Sequence, residues 1–246
     1  MILRRITQHV KEQNWFAVGL DFIIVVVGIL IAFQITNWSE ARAERVRSDQ
    51  IKTRIVAEFI EIESELVRYV RDVSEWINIA NDLGDDILTG NIEPDTENLP
   101  RRLKSIAWRP ASGGSNTISE LINQGDMDIL NSPRLVELLL RFDSLSKRHV
   151  TSNVSAKTDL EYDYRTLQKI SFLSSIPVNE RPVEFSRTLE QLIAAPDFYL
   201  SSKHLSEALA NDLLWHRELL KRACTVLQAL KERCEASTDL LDEVNP

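Results

Sequence analysis

The sequence is poor in the residues that end helices and turn strands. Seven glycines and eight prolines are spread over 246 residues, too few for the many tight turns of an all-β chain, while Leu, Ile, Glu, Arg and Ala favour long helices. Cysteine is scarcer still. The two cysteines, Cys224 and Cys234, exclude a disulfide framework and any CxxC pair. They lie in a segment that reads as unbroken helix, where ten residues of rise would hold them about 15 Å apart on different faces, so the spacing predicts no bridge between them.

An excess of positive charge is also lacking. The formal net charge is −8. Setting aside Arg4, Arg5, Lys11, Glu12 and Asp21 leaves 26 basic against 35 acidic side chains in residues 39–246, and the basic residues are interleaved with acids as on solvated helix faces. No nucleic-acid partner is expected. Catalytic signatures are missing too: there is no GxSxG, no HExxH and no dinucleotide loop after a strand. Gly113 and Gly114, beside Ser112 and Ser115, have no following GK[ST] and so do not make a phosphate loop.

One long hydrophobic run is present. Residues 22–33 read FIIVVVGILIAF, and residues 15–20 are almost wholly apolar. Trp15 and Trp38 mark two interfaces about 34 Å apart along a helix, which suits a bilayer. Four successive stretches follow: a basic segment 1–14, a transmembrane helix 15–38, a helical-bundle domain 39–236 and a tail 237–246. A cleaved signal peptide is the rival reading, through Ala41-Arg42-Ala43, but the apolar stretch is long and the gap before that site is polar. Asp21 is costly inside a span unless it sits at an interface or against a partner. It shares a helical stripe with Gly28 and Ala32, small residues that let another helix approach, so Asp21, Gly28 and Ala32 are candidates for association with a second copy or another membrane protein. Arg42, Arg45, Arg47, Lys52 and Arg54 after the span favour a cytoplasmic domain. The basic head and the length of the domain lean the other way, to an extracytoplasmic one.

Beyond the span, Ile55, Phe59, Ile62, Leu66, Tyr69, Val73, Trp76, Ala80, Leu83 and Ile87 alternate steps of four and three. This heptad seam predicts a long helix packed in a bundle or coiled coil, ended by Gly90-Asn91 and Pro94. A short helix is expected over 103–108, a loop over 110–116, and another short helix over 117–124 stopped by Gly125. Ser132-Pro133 should open a helix running to about Ser174. Pro177 and Pro182 break the chain before a short helix over 185–194. A final helix carries Leu209, Leu213, His216, Leu220, Ala223, Leu227, Leu230 and Cys234 in four-three steps. The expected fold is all-α, an N-terminal transmembrane helix followed by an elongated antiparallel bundle.

His216 on that last seam and His149 on the preceding long helix would meet if the two helices pack antiparallel. Neither shows a further ligand at a reliable spacing, so a hydrogen-bonded core role is expected, with no metal, no cofactor and no catalytic residue. The pairs Asp85-Asp86 and Glu161/Asp163 read as solvated surface.

The block GLDFIIVVVGILIAFQITNW (residues 19–38) and the block TISELINQGDMDILNSPRLVELLLRF (residues 117–142) resemble a bacterial family of unknown function. Its members have one N-terminal span ending in a polar Asn-Trp segment and a helical domain. The resemblance implies a bacterial membrane-anchored helical protein and transfers no activity or ligand; the bacterial inner membrane is the expected location. The leading expectation is a non-enzymatic interaction or scaffold module anchored in the lipid bilayer. A membrane-anchored ligand-sensing domain, signalling through a partner, is the second reading, with any small-molecule ligand left open, and a metal-dependent hydrolase is the third.

Overall fold

A computed structural model of the chain describes residues 15–92, 98–105, 114–159, 161–236 and 240. The basic segment 1–14 with Arg4, Arg5 and Lys11, the helix end at Trp108, the loop glycine Gly113 and all of the tail 237–246 except Leu240 lie outside these residues. The described residues are all helix, turn or irregular chain, without a strand. They form α1 (Trp15–Thr89), α2 (Leu99–Ser105), α3 (Asn116–Gln124), α4 (Pro133–Asp159), α5 (Glu161–Ser174), α6 (Val183–Ile193) and α7 (Pro196–Ala229). Single 3-10 turns lie at Met127–Leu130 and Val178–Glu180. The chain divides into two units, Met1–Gln50 and Ile51–Pro246, a division twelve residues beyond the end of the apolar stretch at Trp38.

In the first unit α1 is long and apolar enough near its N-terminus to cross a membrane. Its large side chains point outward: Phe22 is 69% and Phe33 63% exposed. Asp21, Gly28 and Ala32 are exposed on the same helix, and a methyl group added at Gly28 would meet nothing within 4 Å. Across Trp38, the Arg42 guanidinium lies 5.7 Å from the ring centroid.

The second unit is a bundle built on the heptad seams. Ile55, Phe59, Leu66, Val73, Ala80 and Leu83 are buried, and Tyr69, Trp76 and Ile87 pack against the same core. The four-three alternation keeps all of them on one face because 3.5 residues nearly complete a turn. Two cross-contacts set the direction of α7. Tyr69 reaches Asp212, and Ser206 reaches Asn81, so α7 runs antiparallel to residues 69–81 of α1. Phe59 packs against Phe142 of α4, with ring centroids 4.8 Å apart and planes tilted by 55°, and His149 of α4 meets Asp212. The α4 helix therefore runs alongside α1 and antiparallel to α7. Its direction is continued by α5, whose Asp163 accepts from Ser201 of α7 at 2.7 Å. The helix expected from Pro133 to about Ser174 is found as α4 and α5 on either side of Leu160, which lies outside the described residues.

Local signals place the ends. After α1, Gly90 (φ 69°) and Asn91 return amides to Ile87 and Asp86. After α3, Gly125 (φ 68°) and Asp126 do the same to Ile122 and Leu121, the paired bonds of a left-handed helix stop. Ser132 Oγ accepts from Leu135 N, and Pro133 opens α4.

The end of α7 corrects the sequence reading. The helix stops at Ala229, and Lys231 adopts φ 65° while Glu232 N donates back to Leu227 O at 2.9 Å. The chain turns there, so Cys234 does not extend the seam along a helix. It folds back until its Cα is 5.1 Å from that of Cys224, and the two form a disulfide. The expected separation of about 15 Å assumed a helix that continues. Glu63 completes the turn, accepting from Glu235 N at 2.6 Å and Ala236 N at 2.9 Å in place of the missing helical bonds.

Candidate functional site

Among the described residues of the second unit, Tyr69 of α1, His149 of α4, and Asp212 and His216 of α7 meet as one group of titratable side chains. His149, Asp212 and His216 are 1%, 3% and 0% exposed. Four residues of helix separate Asp212 from His216, which puts both on one face. The seams of α1 and α4 bring Tyr69 and His149 to the same place. Asp212 is the hub. Its Oδ1 accepts from His149 Nε2 at 2.9 Å, and its Oδ2 accepts from the Tyr69 hydroxyl at 2.7 Å. The His149 and His216 rings are perpendicular with centroids 4.3 Å apart, and Tyr69 lies over His216 at 4.1 Å.

The protonation pattern follows from these contacts. Burial works against the Asp212 charge, but the hydrogen bond from His149, the electrostatic pull of His216 and the Tyr69 hydroxyl outweigh it and hold the carboxyl below its ordinary range. Burial, then the charge and hydrogen bond of Asp212, push the Tyr69 phenol well up, so it stays a donor. His216 is driven down to about 4 by burial, against the attraction of Asp212, and is neutral near pH 7. Its Nδ1 is 2.8 Å from the Asp212 backbone oxygen and 3.4 Å from Oδ2. A carbonyl only accepts, so Nδ1 carries the proton and Nε2 is a bare lone pair. That Nε2 is buried without a hydrogen-bond partner among the described residues.

The chain matches no family model, no curated protein and no solved structure. His149 and His216 do meet, as the antiparallel packing of their helices requires. The expectation that neither has a further ligand at a useful spacing is wrong: Asp212 precedes His216 by four residues, and the donor atoms of His149, Asp212 and His216 all lie within 4.8 Å of one another. The DxxxH pattern on the α7 seam, with an aspartate in line with apolar residues, was the signal for it. Tyr69 was visible only as a seam residue.

Further polar contacts tie the bundle together. The Glu58 carboxylate meets the N-terminus of α3, accepting from Ser115 Oγ at 2.6 Å, Thr117 Oγ1 at 2.5 Å and Thr117 N at 3.2 Å. Of the two acidic pairs, Asp86 binds Arg102 at 2.7 Å, and Asp163 is not free surface. Its side chain is 15% exposed and reaches Ser201 and, at 3.3 Å, His204. Beside Glu63, the Cys224 and Cys234 sulfurs are spent in their disulfide and do not offer thiolate ligands.

Proposed function

We propose that the chain is a single-span protein of the bacterial inner membrane whose helical domain faces the extracytoplasmic side and acts there as a non-enzymatic interaction module. The Cys224–Cys234 disulfide within residues 51–246 carries the assignment of side, because disulfides persist in oxidising compartments and are rare where thiols are kept reduced. It agrees with the tendency of a long domain after an N-terminal anchor to be translocated despite basic flanking residues. The exposed apolar residues of the first unit support the anchor, and the sequence resemblance supports a bacterial membrane. In support of an interaction role, the cluster of Tyr69, His149, Asp212 and His216 lies inside the bundle, with its histidines and aspartate at most 3% exposed. Association with a second copy or a membrane partner through Asp21, Gly28 and Ala32 belongs to the same reading. A sensing role is the second reading, favoured by the convergence of Tyr69, His149, Asp212 and His216.

Topology tests the proposal. A reporter fused after Pro246 should be active only outside the cytoplasm, and in acid-quenched cells Cys224 and Cys234 should resist alkylation until a reductant is added. A cytoplasmic reporter signal together with two thiols alkylated without reductant defeats it.

A further inference from the structure

His216 presents a bare Nε2 lone pair inside the bundle, with its other nitrogen committed to the Asp212 carbonyl. A buried acceptor without a donor costs stability unless something occupies it. The same arrangement, one ring nitrogen donating to a backbone oxygen so that the other is a fixed lone pair, is how metal-binding histidines are oriented. Two more potential ligands share its neighbourhood: one donor atom each of His149, Asp212 and His216 fall within 4.8 Å of one another, and His149 Nε2 is 2.9 Å from Asp212 Oδ1. Ligands of a four-coordinate zinc, at roughly 2.0–2.1 Å from the ion, are about 3.3 Å apart, so small side-chain rotations close the set. The Tyr69 hydroxyl, 2.7 Å from Asp212 Oδ2, steadies the carboxylate from outside.

We propose that His149, Asp212 and His216 bind one divalent first-row transition ion, Zn2+ by their donor chemistry, which ties α4 to α7. Two imidazoles and one carboxylate suit such an ion, offer no thiolate for a soft one, and supply too few oxygens for Ca2+ or Mg2+. The ion takes the place of the proton between His149 Nε2 and Asp212 Oδ1, so in the bound form His149 carries its proton on Nδ1. Tyr69 is a positioning residue. Neither the side of the membrane nor the interaction role alters this set of ligands.

The test uses the full chain without a histidine tag, purified in detergent from cells grown in ordinary medium or in zinc-depleted medium supplied with Co2+. The expected result is about one equivalent of bound metal, and in the Co2+ preparation the visible absorption of a low-coordinate cobalt site. His216→Leu should cut metal occupancy at least about tenfold and lower Tm, whereas Tyr69→Phe should keep the cobalt spectrum and weaken affinity about tenfold or more. If His216 is only a core residue, replacing its orphaned acceptor by Leu leaves Tm unchanged or raises it, and metal content does not follow the substitution. A wild-type chain that is metal-free and shows no cobalt band overturns the proposal whether or not the variants fold. Equal metal in wild type and a folded His216→Leu overturns it as well.

Discussion

Glu58 shows how a single carboxylate on a heptad helix organises a neighbouring element. Partial burial raises the cost of its charge, but the hydroxyls of Ser115 and Thr117, the Thr117 amide and the nearby Arg54 more than offset it, so its pKa is lowered from 4.5. A carboxyl with a depressed folded pKa contributes stability that is complete above its unfolded pKa and is lost as pH falls through the folded value. Glu58→Gln should therefore destabilise the chain at pH 7 by about 1 kcal/mol, and the gap between wild type and variant should shrink progressively below about pH 4.5. Denaturant melts of both proteins from pH 7 to 3 read this directly; a gap that stays constant with pH removes the charge from the explanation. Residues of this kind are hard to find in sequence, because Glu58 is one acid among many and its partners lie 57 and 59 positions away. Asp212 was more accessible to sequence reasoning. An ionisable residue four before a seam histidine has to share its buried face, and that constraint needs no knowledge of the partner helix.

Helix stops were legible wherever glycine supplies the left-handed turn and obscure where it does not. Gly90 and Gly125 mark the ends of α1 and α3 at φ near +70°, and the seam on α1 identified its buried face because heptad spacing and burial are the same fact viewed twice. At the end of α7 the required conformation falls on Lys231, with φ 65°, and the four-three rhythm of apolar residues runs on through it to Cys234. Nothing in residue type announced the stop, so the disulfide that depends on it was missed. The two caps should respond in opposite directions to reciprocal substitutions. Gly125→Ala forces a Cβ into the left-handed region and should cost about 1 kcal/mol, whereas Lys231→Gly, at an exposed position, relieves the same penalty and should gain about 0.5 kcal/mol after the extra chain entropy of glycine is counted. Thermal melts followed by circular dichroism suffice. A destabilised Lys231→Gly would mean that the lysine side chain matters more than its backbone.

At the scale of the whole molecule, the all-helical class followed from composition and periodicity, and the apolar run identified the helix able to cross a membrane. What sequence could not provide was the three-dimensional closure of the bundle at its C-terminal end, which joins residues far apart on different elements. Cys224 lies on α7, Cys234 lies beyond its stop, and Glu63 of α1 holds the amides of Glu235 and Ala236. The disulfide closes a short loop, for which chain-entropy arguments give roughly 2–3 kcal/mol, and the Glu63 hydrogen bonds hold the same segment independently. Reduction should thus lower the stability of the detergent-solubilised chain by about 2 kcal/mol without loss of helix, because α7 already ends at Ala229 through backbone bonds. Denaturation midpoints with and without reductant give the first quantity and far-ultraviolet circular dichroism the second. Cys224→Ser/Cys234→Ser should match the reduced protein and be indifferent to reductant. If reduction leaves the midpoint where it was, Glu63 alone secures the segment, and the disulfide contributes nothing to folding even in an oxidising compartment.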